Sequence, residues 1–294
     1  MNVIQLFSLI INRAQDIGIK NSRQTVSILG CGWLGLALGK SLLENGFNVK
    51  GSVTRFSGKR ILRNSGIRPY RVVLKPERVV VDDPAFFETD VLVISIPPRR
   101  VEGIEDIFYF QIRRLIPEII QNSVQKVIFI SSTSVYSNDF RIVREDDVPV
   151  PEKNSGKALL LAENLLREQP GFQTTVIRFG GLIGAERNPA RFLLKSRQSV
   201  AENTLVNLIH RDDCISIIAG IIDRNIWGEV LNACCPVHPT KKEFYEKASL
   251  VSGLPTPEFS KKMIGYKVVD SSKLIGLLHY RFKYPSPMDY LNTL

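Results

Sequence analysis

Candidate chemistry in this chain begins at Gly30-Cys31-Gly32-Trp33-Leu34-Gly35, a G-x-G-x-x-G run. Glycines at these spacings allow a tight turn, let the backbone approach a pyrophosphate, and let the following helix pack closely on the preceding strand. The N–H groups at the start of that helix then face the anion. Trp33 and Leu34 open the helix, and Cys31 reads as a small loop residue rather than a nucleophile. Roughly 20 residues further on, an acidic residue would hold the ribose diol of NAD. Here the sequence is Gly51-Ser52-Val53-Thr54-Arg55, and no acid lies between Gly46 and Arg71. The hydroxyl of Thr54 and the guanidinium of Arg55 suit a 2′-phosphate through charge-assisted bonds. The expected cofactor is therefore NADP, with NAD as the alternative.

A second group of residues lies downstream. Ile130-Ser131-Ser132-Thr133-Ser134-Val135-Tyr136 is rich in hydroxyls, and Pro149, Pro151, Lys157 and Glu163 follow it. Arg178-Phe179-Gly180-Gly181-Leu182-Ile183-Gly184 and Asn207-Leu208-Ile209-His210-Arg211-Asp212-Asp213 complete the set. Asp212 and Asp213 fit the start of a helix, where carboxylates meet free N–H groups, and His210 just precedes them. Arg187 and Arg191, after Gly184, are candidates for an anionic or phosphorylated substrate.

The elements that must position these residues alternate. Val26–Leu29, Asn48–Val53, Tyr70–Leu74, Asp90–Ile96, Lys126–Ile130 and Thr174–Phe179 read as buried strands. Trp33–Glu44, Ile104–Gln121 and Ala158–Glu168 read as helices between them. This rhythm predicts an α/β fold, a Rossmann-type doubly wound parallel sheet covered on both faces. Pro97-Pro98 ends the fourth strand abruptly, as a chain leaving the carboxyl edge of such a sheet would. After Gly180 shorter strands (Leu205–Ile209, Glu229–Asn232) mix with helices (Arg211–Asp223, Lys241–Ser252). The expected organisation is an N-terminal extension over 1–23, a dinucleotide-binding domain over 24–180, and a smaller C-terminal substrate lobe over 181–294. In the extension, Val3, Phe7, Ile10, Ala14 and Ile17 recur at helical spacing.

With these motifs in order, the chain resembles the short-chain dehydrogenase/reductase superfamily, and within it the extended branch of nucleotide-sugar epimerases and dehydratases, in an atypical subgroup. The resemblance runs from about residue 25 to the C-terminus and includes Tyr284-Pro285-Ser286. It implies that Gly30, Gly32 and Gly35 form the dinucleotide loop and that Ser132 is the catalytic-serine equivalent. It also implies that Lys157 is the active-site lysine, bonding the nicotinamide ribose and lowering the pKa of a neighbouring phenol. The pattern departs from the superfamily at one position. Its Tyr-x-x-x-Lys would place tyrosine at 153, where this chain has Lys153. An acid pair typical of the dehydratases is also replaced, by Thr133 and Ser134. Tyr136 is the nearest phenol in sequence: a displaced acid/base, or a residue packed beneath the site.

Composition narrows the classes. Hydrophobic residues at 44% and charged residues at 23% describe a globular chain with a full core. No apolar run reaches the roughly 18–20 residues of a membrane span. Cys31, Cys214, Cys234 and Cys235 form no zinc-spaced set and read as reduced thiols of a cytoplasmic protein. Net charge is +10, and Lys50 to Arg78 holds nine basic residues against Glu77 alone. That stretch lacks the motifs and stacking aromatics of a nucleic-acid surface, and Arg68 and Arg71 read as distant from the cofactor end. The sequence therefore points to an NADP-dependent oxidoreductase or epimerase acting on a small anionic or sugar-like molecule, without nucleic-acid or membrane partners. The alternative is a non-catalytic NADP-binding sensor.

Overall fold

The computed structural model describes residues 24–187, 189–190, 199–262 and 264–294. The expected helix over 1–23, and Arg191, lie outside the described residues. The strands are β1 (Thr25–Leu29), β2 (Asn48–Val53), β3 (Arg68–Leu74), β4 (Val79–Val81), β5 (Val91–Ile94), β6 (Lys126–Ser132) and β7 (Arg141–Val143). They continue as β8 (Gln173–Phe179), β9 (Gly181–Ile183), β10 (Val200–Ala201), β11 (Leu208–His210), β12 (Val230–Ala233), β13 (Phe259–Ser260) and β14 (Lys267–Val269). The described helices are α1 (Trp33–Glu44), α2 (Lys59–Asn64), α3 (Ile104–Gln121), α4 (Asn154–Arg167), α5 (Arg211–Asp223), α6 (Lys241–Ser252), α7 (Ser272–Leu278) and α8 (Pro287–Leu291).

The continuous apolar runs become the inner strands, as residues shielded on both faces must. One eight-stranded sheet has the order β12-β8-β6-β5-β1-β2-β3-β4, parallel except for β4. β1 lies between its two neighbours with Val26 opposite both Val49 and Val91. From this centre the chain builds outward through β2 and β3 on one side, and through β5, β6, β8 and β12 on the other. The order thus reverses between β1 and β5, which opens a crevice at the carboxyl ends of those two strands.

Period-2 alternation divides the core. Leu92 and Ile94 of β5 face Phe108, Ile112 and Leu115 of α3 and Ala158 and Ala162 of α4. Val91 and Val93 face the opposite layer, where Leu38 and Leu42 of α1 meet Ile217, Ile218 and Ile221 of α5 and Leu274 of α7. Residues 211–278 therefore supply half of one covering layer and the edge strand β12. The division expected at residue 180 is one of sequence, not of layers. The smaller lobe has its own cluster of Ile183, Val206, Phe244, Ala248, Tyr290 and Leu291. Asp213 fastens it, accepting from the Tyr280 hydroxyl at 2.7 Å and the Lys283 N–H at 2.7 Å.

Beneath the crevice, Arg178 of β8 and Glu163 of α4 form a buried ion pair, Nη2 to Oε2 at 2.6 Å. The Ser131 hydroxyl of β6 donates to the same carboxylate. Arg178 Nη1 also donates to the Tyr136 hydroxyl at 2.6 Å, and that hydroxyl donates on to Asn232 Oδ1 of β12. Removing one partner strands the other in a buried site. Glu163→Ala is expected to cost about 3–5 kcal/mol of stability. Urea unfolding followed by circular dichroism checks this, and Lys59→Ala, at the exposed Lys59–Asp82 pair, should cost under about 1 kcal/mol.

Candidate dinucleotide site

The glycine loop joins β1 to α1 and is pinned from β2. Ser52 Oγ accepts the Gly30 N–H at 3.0 Å, and the Ser52 carbonyl accepts the Cys31 N–H at 2.9 Å. Gly30 has φ +101°, a conformation that favours glycine, and a Cβ there would lie 2.7 Å from the Ser95 carbonyl oxygen. A Cβ on Gly35 would lie 2.3 Å from the Gly30 carbonyl oxygen, so loop and helix touch backbone to backbone. A Cβ on Gly32 meets nothing within 4 Å, because that residue faces the open crevice. Gly32 also serves as N-cap without any side-chain cap, and the first turn of α1 holds no acid. By contrast α6 has a full Thr240–Glu243 capping box, and α5 carries Asp212 and Asp213 in its first turn. α2, α4 and α7 likewise lack both a side-chain cap and a first-turn acid, but α1 opens from the glycine loop into the crevice, where an external anion can meet its N–H groups.

Two cavities, of ≈ 490 and ≈ 530 Å³, meet across Gly30, Gly32, Ile96 and Pro97. The first runs past Cys31, Ser52, Thr54, Arg55 and Ser57 toward the ends of β2 and β3. The second runs past Trp33, Leu34, Gly35, Ser132, Leu159 and Arg187 toward β6 and the smaller lobe. Each is within the usual size of a small-ligand pocket, and together they form one trough straddling the glycine loop. Burial pushes the Cys31 thiol up to about 12, against the bond from Ser52, so it is no nucleophile at neutral pH.

The fold gathers Gly30, Gly32, Gly35, Thr54, Arg55, Pro97 and Ser132 along this trough. Two expected residues are not among them. Tyr136 is 1% exposed, with its hydroxyl fixed by Arg178, Asn232 and the Arg144 carbonyl. Burial raises its pKa despite the Arg178 charge, so Tyr136 is a strut beneath the site rather than a proton carrier. Lys157 is exposed on α4 and lines neither cavity. At 3.6 residues per turn it lies about 200° around the helix from Leu159, the α4 residue that does line the trough. A Tyr-x-x-x-Lys pair reaching this trough would need its lysine at Leu159 and its tyrosine at Ser155. Two positioning residues were missed, Ser52 and Leu159. A hydroxyl near the carboxyl end of β2 was the available signal for Ser52, whereas the apolar run Ala158–Ala162 hid the helical period around Leu159.

Two further readings are settled. His210 Nδ1 accepts the Asp212 N–H at 3.2 Å, burial lowers its pKa, and it acts as the neutral N-cap of α5. Arg71 is not remote from the adenosine-side cavity, because its Nε donates to the Thr54 carbonyl at 3.2 Å and its guanidinium stacks 4.9 Å from the Phe56 ring centre.

A parallel sheet with this strand order and a trough over a G-x-G-x-x-G loop define a Rossmann-type dinucleotide-binding fold. The chain is 35% identical over 268 residues to Protein YeeZ of Escherichia coli, spanning 90% of this chain and 97% of that protein, and belongs to the same family. No family model matches the chain. Among solved structures, a conserved protein from Silicibacter pomeroyi superposes with a TM-score of 0.75 at 22% identity, covering 92% of this chain and 98% of that one. UDP-glucuronic acid 4-epimerase from Bacillus cereus, solved with UDP-glucuronic acid and NAD, superposes with a TM-score of 0.72 at 18% identity, covering 92% and 99%. These likenesses are of fold. Among the described residues, no helix is long and apolar enough to cross a membrane.

The glycines differ in what they tolerate. Gly35→Ala forces backbone apart and is expected to cost about 1–3 kcal/mol, as overpacking does. Gly32→Ala, at φ −79° with open space beside it, should leave stability within about 0.5 kcal/mol of wild type. Thermal and urea unfolding of the two variants test the difference.

Proposed function

We propose that the protein is an NADP(H)-dependent oxidoreductase acting on a small anionic, sugar-like substrate, with Ser132 as the donor to the reacting carbonyl and without a tyrosine–lysine relay. One observation carries this reading: the Ser132 hydroxyl lines the same trough as the glycine loop. Its Oγ accepts the Ser134 N–H at 3.1 Å, and no acceptor among the described residues takes its proton. That O–H is therefore available to a carbonyl oxygen, as polarisation requires. Ser131, in contrast, spends its proton on Glu163.

The trough fits a dinucleotide. The uncapped start of α1 and the open side of Gly32 suit a pyrophosphate. Thr54, Arg55 and Ser57 stand at the adenosine end, where a 2′-phosphate would meet two hydroxyls and a guanidinium. When bound, NADP(H) supplies hydride exchange. Around it the chain orients a carbonyl at Ser132 and excludes water with Leu159, Phe179 and Leu182. Epimerisation needs a base to take a hydroxyl proton before hydride leaves, and among the described residues no phenol or ammonium lines the trough for that step. Reduction needs only a proton for the nascent alkoxide, which Ser132 can relay from solvent. The sugar-like substrate is supported by the fold's use in a UDP-glucuronic acid epimerase.

A second reading, a dinucleotide-binding sensor without turnover, is favoured by Leu159, an apolar side chain in the trough where a relay lysine would stand. Turnover separates the two. Oxidation of NADPH with at least one sugar-phosphate or simple carbonyl compound, reduced strongly by Ser132→Ala with little change in NADPH affinity, is the outcome expected of an oxidoreductase. Stoichiometric binding with no oxidation across such a panel gives the sensor. For the cofactor itself, Arg55→Ala should weaken NADP binding by about 1.5–3 kcal/mol and leave NAD binding unchanged, by titration calorimetry. Equal wild-type affinity for NAD and NADP would overturn that preference. Lys157→Ala should bind NADP as the wild type does.

A further inference from the structure

Trp33 opens α1, yet its indole reaches across to the smaller lobe, where Nε1 donates to the Ala185 carbonyl at 3.0 Å. Two guanidinium groups pack on that indole. The central carbon of Arg187 lies 4.1 Å from the ring centre, and that of Arg211 lies 4.7 Å from it. A ring face attracts each cation, but neither arginine has a close carboxylate among the described residues. The nearest is Glu186, 4.0 Å from Arg211 and 77% exposed. Arg211 Nε, which carries one of the five N–H donors of that guanidinium, is buried and meets no acceptor among the described residues.

Two like charges held on one ring, with the buried Arg211 Nε unmet among the described residues, call for an anion. We propose that Arg187 and Arg211, seated on Trp33, form a binding subsite for a dianionic phosphate group carried by the substrate, at the mouth of the Ser132 side of the trough. Arg187 lines that cavity, and Arg211 stands behind it at the start of α5. Burial and the neighbouring Arg211 charge both hold Arg187 below the ordinary guanidinium value, which an anion would reverse. Assigning the phosphate to a substrate rests on the oxidoreductase reading, whereas the anion subsite itself does not. Because Trp33 belongs to both the glycine loop and this subsite, its emission reports occupancy directly.

The test uses the full chain carrying Trp227→Phe, which leaves Trp33 as the single indole. Inorganic phosphate is titrated at constant ionic strength set with chloride, with and without saturating NADP⁺, and Trp33 emission is followed. A saturable change is expected, weakened at least tenfold by Arg187→Gln and by Arg211→Gln. A tenfold loss corresponds to about 1.4 kcal/mol, within the range for a lost charged hydrogen bond. Arg224→Gln, at the exposed end of α5, should shift it less than threefold. NADP⁺ affinity should change less than threefold in both arginine variants. If chloride alone reproduces the change, if it does not saturate, or if Arg187→Gln binds phosphate as the wild type does, the subsite is overturned. Parallel losses of NADP⁺ and phosphate affinity overturn the substrate assignment, because the arginines would then serve the cofactor's own pyrophosphate. Failure of the wild type to bind NADP⁺ removes the oxidoreductase reading, while the titration without NADP⁺ still decides the subsite.

Discussion

The buried pair of Arg178 and Glu163 fixes what the trough is. Strand β8 carries the guanidinium, helix α4 the carboxylate, and Ser131, Tyr136 and Asn232 extend the bonding to β6 and β12. A charge in such a place must meet its partner, since the cost of leaving it unpaired exceeds any local preference of the helix. That requirement sets the rotation of α4. With Glu163 turned toward β8, the residue four positions earlier lies on the same face and enters the trough. That residue is Leu159, and Lys157 is thereby directed to solvent. A helix that looks compatible with a relay lysine is thus locked in a register that excludes it.

The glycine loop works by the opposite logic, in which satisfaction is withheld. Ser52 ties the loop down, while the first turn of α1 has neither a cap nor an acid. Elsewhere the chain caps its helix starts with Thr240, Ser286 and His210. α2, α4 and α7 also start without a side-chain cap or an acid, but α1 opens from the glycine loop with Gly32, Trp33 and Leu34 lining the trough, where an anion can meet its N–H groups. The positive stretch that begins at β2 is likewise not uniform. Arg71 stacks on Phe56 and bonds the Thr54 carbonyl, shaping the adenosine-side wall, whereas Lys50 is turned inward to the Ala85 and Glu88 carbonyls.

The same fold recurs in an epimerase solved with UDP-glucuronic acid and NAD, and the side chains that face the trough here differ in kind from a tyrosine–lysine relay. A fold supplies the place for a ligand, and the chemistry follows from the groups that line it. In this chain those groups include the Ser132 hydroxyl, an apolar wall and cations gathered near Trp33.

Much of this architecture is written locally. Apolar runs such as Val26–Leu29 and Lys126–Ile130, separated by amphipathic helices, determine a parallel sheet, because only strands buried on both faces read that way. The glycine spacing and the missing acid after β2 are also local, since turn geometry and charge need no distant partner to be recognised. Three things required the tertiary structure. The short strand β4 escaped notice because three valines beyond a turn acquire meaning only when β3 offers an edge. The contribution of α5 and β12 to the central sheet depends on long-range pairing, with Leu231 opposite Ile177. The exclusion of Lys157 and Tyr136 was decided by burial and by the rotation of one helix. Residue type and spacing state which chemistry a chain could attempt, but the direction in which a side chain points is set by packing against segments far away in sequence.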